Sequence, residues 1–359
     1  MKIFTADDVL TIAKRLNNSK RNYLLVNPLQ GKHLPVKPSA ALEMMNALGK
    51  KVAEISSARL VIGFAETATA IGAVVAKNLS DNCFYLQTTR ENCGGSFVEF
   101  MEEHSHAPEQ KLFAENLAEL LDTLEIVFVD DEFSTGKTLR NIIRQLKAQF
   151  PVLNGKKIFA ASIINRLSAE NLTALAEDNI SCVSLVKLDK NFDADKFSVN
   201  PAQEISPVKK NFALHELNFI DNPRFGVKIG DYFAQCDAAG NFIVNLLKRE
   251  NISGKILILG TEEFMLPAII AGNMLETENF SVFTHSTTRS PIGISTAENY
   301  PIREGFKLKS FYDSARTTFI YNLKPCDAAI IMTDAKNFDA GLADLVSALK
   351  TDKIFIVRC

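Results

Sequence analysis

The 359-residue sequence contains no tryptophan, no low-complexity tract and no apolar run long enough to cross a bilayer. Its longest apolar runs, at 255–260 and 328–332, have the length of β-strands and fall short of the ~18–20 residues of a membrane-spanning helix. The first ten residues include Asp7 and Asp8 and lack the basic and then apolar pattern of a signal peptide. These absences favour a globular protein without a membrane partner.

An excess of charge of one sign is also lacking, since 40 lysines and arginines face 42 acidic residues. Without a basic surface that neutralises phosphates, no nucleic-acid partner is expected. The six cysteines are scattered and form no CxxC pair, which argues against a disulfide framework or a zinc site. Hydrophobic residues make up 47% of the chain, enough for sizeable cores. We therefore expect a folded, cytoplasmic protein with reduced thiols.

Short apolar runs alternate with segments of helical periodicity, a pattern typical of α/β folds with mostly parallel strands. Between about 191 and 226 the periodicity fades, and Pro201, Pro207 and Pro223 punctuate the segment. We therefore predict two α/β domains, 1–210 and 211–359.

Three local features carry further expectations. Ser39 is predicted to be the N-cap of a helix over 40–55. Apolar residues at helical spacing predict a single helix face formed by Leu112, Phe113, Leu117, Leu120 and Leu121. Polar, loop-like segments contain four of the five histidines, which argues against a core role for His33, His104, His106 and His285.

The strongest motif is the segment 125–138, with the sequence EIVFVDDEFSTGKT. An apolar strand ends in Asp130 and Asp131, and a loop of small residues then leads into a helix. Carboxylates in this place can accept hydrogen bonds from a sugar diol, while amides at a helix N-terminus can surround a phosphate. A P-loop would need glycine at position 131. A buried strand with an acidic edge and a capped helix remains the purely structural alternative.

This segment resembles the phosphoribosyl pyrophosphate (PRPP) motif of type I phosphoribosyltransferases, and a looser similarity extends over 21–188. The resemblance implies a parallel sheet flanked by helices, with a hood and a flexible loop. It also implies that Asp130 and Asp131 hold the ribose hydroxyls. The 5′-phosphate would be bound by the loop residues Ser134, Thr135, Gly136, Lys137 and Thr138.

Two further segments occupy positions at which that family binds diphosphate. Residues 61–69 stand in the place of the pyrophosphate loop, so that Ala65, Glu66 and Thr67 would meet the diphosphate; a capped helix start is the alternative. Arg90 follows the next predicted strand, and its guanidinium suits diphosphate oxygens. A solvated arginine without a role is the alternative there.

The polar segment 91–108 corresponds to the loop that closes over substrate in this family and excludes water. His104 and His106 would donate to the leaving diphosphate or shuttle a proton, unless they are simply exposed. The segment 27–36 (NPLQGKHLPV) resembles the hood of orotate phosphoribosyltransferases. Lys32 and His33 would there meet the nucleobase or the diphosphate.

The second half resembles the TRSP domain, whose tetrapeptide is present here as Thr-Arg-Ser-Pro at 288–291. That domain follows orotate phosphoribosyltransferase-like domains in bacterial tellurite-resistance and stress-response gene clusters, and a Rossmann-like α/β fold is expected for it. Loops at the carboxyl edge of a parallel sheet bind ligands. We therefore predict that a phosphate or carboxylate is held by Thr287, Thr288, Arg289 and Ser290; a tight turn without a ligand is the alternative.

The sequence thus predicts a phosphoribosyltransferase that moves the 5-phosphoribosyl group between PRPP and a nucleobase-like or other small-molecule acceptor and releases diphosphate. The resemblance implies Mg²⁺, held through substrate oxygens rather than by the protein alone, and we expect a homodimer. Two alternatives stay open. The protein could be a regulator that senses PRPP or nucleotides without catalysis, or the main chemistry could lie in the second domain.

Overall fold

The structure, a computed structural model, describes residues 2–16, 21–100, 110–190 and 192–359. Its helices are α1 (Ala6–Val9), α2 (Pro38–Ala53), α3 (Thr69–Leu79), α4 (Leu117–Leu121), α5 (Lys137–Gln149), α6 (Ala169–Glu177), α7 (Ile229–Arg249), α8 (Leu266–Thr277) and α9 (Asp339–Ala348). Its strands are β1 (Thr11–Lys14), β2 (Tyr23–Val26), β3 (Leu60–Gly63), β4 (Phe84–Gln87), β5 (Phe97–Phe100), β6 (Gln110–Phe113), β7 (Glu125–Phe133), β8 (Lys157–Asn165), β9 (Ile180–Lys187), β10 (Ala213–Glu216), β11 (Val227–Lys228), β12 (Lys255–Gly260), β13 (Ser281–Ser286), β14 (Gly305–Lys309), β15 (Thr317–Tyr321), β16 (Ala328–Thr333) and β17 (Ile354–Arg358).

The chain forms two compact units, neither of which is a single stretch of sequence. The first unit comprises Met1–Ala6, Glu43–Lys190 and Asp221–Ala234, and the second comprises Asp7–Leu42, Asn191–Ile220 and Gln235–Cys359. The predicted division after residue 210 stays a prediction. Among the described residues, no helix is long and apolar enough to cross a membrane.

The first unit is built on a six-stranded sheet with the order β11-β4-β3-β7-β8-β9, in which only β11 runs antiparallel to its neighbour. All four residues of β3 are buried, as expected for a central strand covered on both faces. From β3 the chain continues to β4 on one side, and β7 then pairs on the other side of β3. The carboxyl ends of β3 and β7 therefore form a topological switch point, where open α/β sheets bind ligands.

Two glycines allow α3 to pack closely against β3. Tyr85 fills the space beside them, fully buried, and its hydroxyl donates to the carbonyl oxygen of Thr69 over 2.6 Å. A methyl group added at Gly72 would lie 3.0 Å from the Cα of Gly63 and 2.9 Å from the Tyr85 ring. This close approach fixes the start of α3, and with it the loop that leaves β3.

The predicted single helix over 112–121 was wrong. Leu112 and Phe113 belong to β6, which pairs antiparallel with β5, and only Leu117–Leu121 is helical. Asn116 stands between them with φ of +57°, a left-handed conformation that a right-handed helix cannot pass through.

The expected N-cap at Ser39 was also wrong, because α2 begins at Pro38. Proline is well suited to a first helical turn, where its missing N–H group has no helical partner in any case. The Ser39 amide instead donates to Oε2 of Glu276 over 2.7 Å.

The second unit contains a five-stranded, wholly parallel sheet with the order β10-β17-β16-β12-β13. Here β13 pairs on one side of β12 and β16 on the other, so the carboxyl ends of β12 and β16 form a second switch point. Antiparallel hairpins are formed by β1 with β2 and by β14 with β15. The predicted α/β fold with parallel sheets in both halves is confirmed.

His33 and His285 correct the expectation that these histidines avoid the core, because each is 1% exposed. His285 lies on β13, and its Nε2 lies 2.7 Å from the carbonyl oxygen of Tyr321. Burial lowers the pKa of His285 to about 4, because a charged imidazolium loses its hydration there. The imidazole is thus a neutral part of the core.

Replacing Gly72 by alanine tests the packing between α3 and β3. At an exposed helical position alanine is more favourable than glycine. At position 72 its methyl group has no space, so we expect the free energy of unfolding to fall by about 1–3 kcal/mol. Thermal or urea denaturation measures the change. Glu177→Ala, at an exposed position of α6, is the control, and we expect a change within about 0.5 kcal/mol. An unchanged or higher stability of Gly72→Ala would contradict the packing account.

Candidate active site

The two predicted acidic residues lie at the switch point of the first sheet. Pairing of β7 with β3 ends at Val129 opposite Gly63, so Asp130 and Asp131 extend beyond the end of β3. Both are half-buried, and the backbone amide of Asp131 donates to Oδ1 of Asp130 over 2.8 Å. The register of the sheet therefore places the two carboxylates at its carboxyl edge.

The loop after β3 contacts these acids directly. The Thr67 hydroxyl donates to Oδ1 of Asp131 over 2.9 Å and so links the two strands that border the switch point. Glu66 is buried, and the peptide bond between Ala65 and Glu66 is cis. The structure thus brings the predicted pyrophosphate loop and the predicted ribose-binding acids together.

Two residues that the sequence reasoning missed hold this loop in place. The Ala65 amide donates to Oγ1 of Thr88 over 2.8 Å, and the Gln110 side-chain amide donates to the Ala65 carbonyl over 2.7 Å. Thr88 and Gln110 are buried and bonded to each other. The position of Thr88 just after β4 was a usable signal, because it lies at the same sheet edge, whereas nothing in the sequence singles out Gln110.

The predicted phosphate loop opens α5, a helix of 13 residues. Gly136 adopts φ of +70°, and a methyl group there would lie 3.2 Å from Cδ2 of Leu167, so position and conformation both favour glycine. Ser134 is half-buried, whereas the solvent reaches Thr135, Lys137 and Thr138. A helix N-terminus bordered by accessible hydroxyls can surround a phosphoryl group.

The carboxylates of Asp130 and Asp131 interact unfavourably when both are charged. Burial raises the pKa of Asp130 well above its usual range, and the neighbouring charge of Asp131 adds to the effect. Glu132, the next acid, is paired with Arg166 over 3.2 Å. A ligand that donates hydrogen bonds, or a cation, would relieve the repulsion between the first two carboxylates.

The remaining predicted residues differ in their settings. Arg90 is exposed just beyond the end of β4, while His104 and His106 lie outside the described residues. Lys32 and His33 belong to the second unit. The Lys32 ammonium is fully buried there and bound to carbonyl oxygens, so the structure gives it a different setting from the predicted hood contact.

The TRSP segment forms a tightly bonded turn in the second unit. Thr287 Oγ1 accepts from the amide of Glu262 over 3.0 Å, and Thr288 Oγ1 accepts from the amide of Ser290 over 3.2 Å. Both threonines are fully buried, so their hydroxyls shape the turn. Arg289 instead pairs with the Glu262 carboxylate over 3.1 Å.

Comparison with protein families assigns both halves of the chain. Residues 9–189 match the model of a phosphoribosyl transferase family, and residues 221–349 match the TRSP domain that lies C-terminal to that family's domain. The chain belongs to this phosphoribosyl transferase family. It is therefore an enzyme of the phosphoribosyltransferase class, with PRPP as the phosphoribosyl donor. The family and the TRSP domain predicted from the sequence are confirmed.

Solved structures similar to this chain include adenine phosphoribosyltransferases from Rhodothermus marinus (13% identity, 51% of this chain and 96% of that chain, TM-score 0.35) and Leishmania tarentolae (16%, 51% and 86%, 0.37). Orotate phosphoribosyltransferase from Aeropyrum pernix is also similar (16%, 50% and 89%, 0.30). The comparison with curated proteins finds no match.

Replacing Asp130 by asparagine tests the strain in the acidic pair. The pKa of Asp130 is higher in the folded than in the unfolded chain, so between these pKa values the folded state holds a proton that the unfolded state has lost. Stability conferred by this residue therefore falls as the pH rises through that interval. Asparagine removes the effect, and we expect Asp130→Asn to melt at a higher temperature than the wild type at about pH 7.

The gain should shrink as the pH falls toward about 4, where the unfolded carboxyl is about half protonated, and should shrink further below that pH. Asp189→Asn is the matched control, since Asp189 is exposed and should change the melting temperature little at either pH. A lower melting temperature of Asp130→Asn at neutral pH would show that the carboxylate stabilises the fold.

Proposed function

We propose that the first unit transfers the 5-phosphoribosyl group between PRPP and a nucleobase-like or other small-molecule acceptor, with release of diphosphate. One observation carries the proposal: Asp130 and Asp131 lie at the switch point, and the loop that opens α5 follows them directly. An open diol and a phosphoryl group are the two features of PRPP that such a pair and such a loop complement.

The donor would be held at both ends of its ribose. Asp130 and Asp131 accept hydrogen bonds from the 2′- and 3′-hydroxyls, and these bonds relieve the repulsion between the carboxylates. The 5′-phosphate takes hydrogen bonds from the amides of the loop 134–138 and from its hydroxyls. Thr67 keeps Asp131 oriented, because its hydroxyl donates to that carboxylate.

The leaving diphosphate would meet the loop 65–67, and Arg90 would supply a guanidinium. The bond from C1 to the diphosphate oxygen breaks with its electron pair on the oxygen, positive charge develops on the sugar ring, and the acceptor's lone pair adds at C1. Positioning and charge stabilisation are the protein's contributions, so no nucleophilic side chain is required. His104 and His106 remain candidates for proton donation to the leaving group.

Mg²⁺ fits this donor set. In the described part of the chain no three His, Cys, Asp or Glu side chains form a metal-binding group, but Asp130 and Asp131 offer the carboxylate oxygens that Mg²⁺ accepts beside substrate oxygens and water. When bound, the ion would neutralise charge on the diphosphate. The raised pKa of Asp130 accords with an acidic pair that a cation would stabilise.

The proposal includes a biological role, a cellular location and an oligomeric state. The pairing with a TRSP domain supports a role in a nucleotide-like metabolite pathway of a bacterial stress response, such as tellurite resistance. We further propose a cytoplasmic location and a homodimer. Analytical ultracentrifugation of the purified chain tests the homodimer.

The decisive experiment identifies the acceptor. Purified protein, Mg²⁺ and ¹³C-ribose-labelled PRPP are incubated with a small-molecule cell extract, and labelled products are sought by mass spectrometry. We expect one labelled phosphoribosyl product, absent with Asp131→Asn protein. PRPP binding without any labelled product in repeated extracts would contradict the transferase reaction and favour a sensor.

Replacing Thr67 by valine tests its role in orienting Asp131. Loss of a hydrogen bond to a charged acceptor costs about 1.5–3 kcal/mol, so the calorimetric dissociation constant for PRPP should rise about tenfold or more. Thr67→Ser keeps the hydroxyl and should bind nearly as the wild type does. Thr173→Val, an exposed threonine of α6, is the control. Equal affinity of the serine and valine variants, both weakened, would contradict the hydrogen-bond account.

A further inference from the structure

The carboxyl edge of the second sheet contains a buried ionic network centred on Glu262. This residue is the second after Gly260, the last residue of β12, and its side chain has no exposure to solvent. Its backbone adopts φ of +48°, which is uncommon for a residue with a side chain. Such conformations cost free energy, persist only where the surroundings enforce them, and cluster at functional sites.

The surroundings of Glu262 fix its backbone. Its amide donates to Oγ1 of Thr287 over 3.0 Å, and its carbonyl oxygen accepts from the buried Lys32 ammonium over 2.6 Å. The Lys32 ammonium also donates to the Thr287 carbonyl over 3.0 Å. The buried cation thus joins the ends of β12 and β13.

The carboxylate of Glu262 is the meeting point of two arginines. Oε1 accepts from the Ser310 hydroxyl over 2.6 Å, while Oε2 lies 3.1 Å from Nε of Arg289 and 3.7 Å from Nη1 of Arg316. Glu262 is inaccessible, but the side chains of Arg289 and Arg316 are 14% and 22% exposed. The network therefore holds two guanidinium groups in place with part of each at the surface.

The network lies beside the switch point of this sheet. Thr261 donates its hydroxyl to Oγ1 of Thr333 at the end of β16 over 2.8 Å, and the Tyr312 hydroxyl lies 3.0 Å from Oγ1 of Thr261. Tyr312 and Arg316 both belong to the loop between β14 and β15, which closes where the Ser310 amide donates to the Arg316 carbonyl. The arginines thus border the crevice in which a parallel sheet binds ligands.

Among the cations of this network, the two arginines are the ones that reach the surface, whereas Lys32 is fully buried. Three cations, Lys32, Arg289 and Arg316, lie with four acids, and these are the buried Glu262 and Glu263, Asp313, and Asp334, which accepts from the Tyr312 hydroxyl. Asp313 approaches Arg316 to 3.8 Å but is 54% exposed, and water screens it. Guanidinium groups already fixed by a buried carboxylate lose little further freedom on binding an oxyanion.

We propose that Arg289 and Arg316, held in place by Glu262, bind an oxyanion at the carboxyl edge of the second sheet. The ligand is a small molecule with a phosphoryl or a carboxylate group, since both present paired oxygens to a guanidinium fork. The residues of this site all belong to the second unit, and the proposal does not depend on the proposed transferase reaction.

Hydrogen exchange of the full chain tests the site with three probes: inorganic phosphate, diphosphate and malonate. We expect at least one probe to slow exchange in 287–290 and 310–316. Protection by phosphate or diphosphate alone identifies a phosphoryl ligand, and protection by malonate alone identifies a carboxylate. Absence of protection in both segments with every probe, up to the highest concentration at which the chain stays folded, would overturn the proposal.

Arg316→Gln then tests the residue assignment. The Arg316 guanidinium lies farther from the Glu262 carboxylate than the Arg289 guanidinium does, so we expect the variant to fold. Because glutamine cannot supply the charge to the bound oxyanion, the dissociation constant for the protecting probe should rise about tenfold or more. Arg303→Gln, an exposed arginine of the same unit, is the matched control. Arg316→Lys keeps the charge without the fork and should bind with intermediate affinity. Wild-type affinity of a folded Arg316→Gln would refute the assignment.

Discussion

The constraint on which the first unit depends is the reversal of strand order between β3 and β7. Because the chain leaves these two strands in opposite directions, their carboxyl ends border a crevice. The hydrogen bond from Thr67 to Asp131 spans this gap. Gly63 and Gly72 let α3 approach β3, so the loop that carries Thr67 begins at a fixed place. Sheet order, close packing and one side-chain bond together position the acids.

The parts of this arrangement that are local in sequence were predictable. Strand β7, the two acids, the glycine turn and α5 follow one another within 14 residues, and their order alone indicated a diol and a phosphate site. Contacts between distant segments were not predictable. Gln110 reaches Ala65 across 45 positions, and Lys32 reaches Glu262 across 230, so only the folded chain shows which partner each one has. Leu112 was misassigned for a related reason, since pairing with β5 overrode a helical spacing.

The acids at the two switch points are treated in opposite ways. In the first unit Asp130 and Asp131 stand side by side, and burial together with mutual repulsion raises the pKa of Asp130. Burying two adjacent carboxylates costs stability, and such a cost is typical of residues that are kept for binding. In the second unit Glu262 is buried more deeply, but arginines and a serine surround it. Its charge is compensated and serves to hold other groups.

This difference in compensation underlies the two ligand classes that we propose. Uncompensated carboxylates attract hydroxyl donors and cations, which suits the ribose of PRPP and an accompanying Mg²⁺. In the second unit the groups bound to the buried carboxylate include the partly exposed guanidinium groups of Arg289 and Arg316, and a guanidinium suits an oxyanion. Both edges use a hydroxyl bond across the reversal, from Thr67 in one unit and Thr261 in the other. The same sheet architecture therefore presents two adjacent carboxylates at one edge and two partly exposed guanidinium groups at the other. The charged residues that follow the strands make this difference.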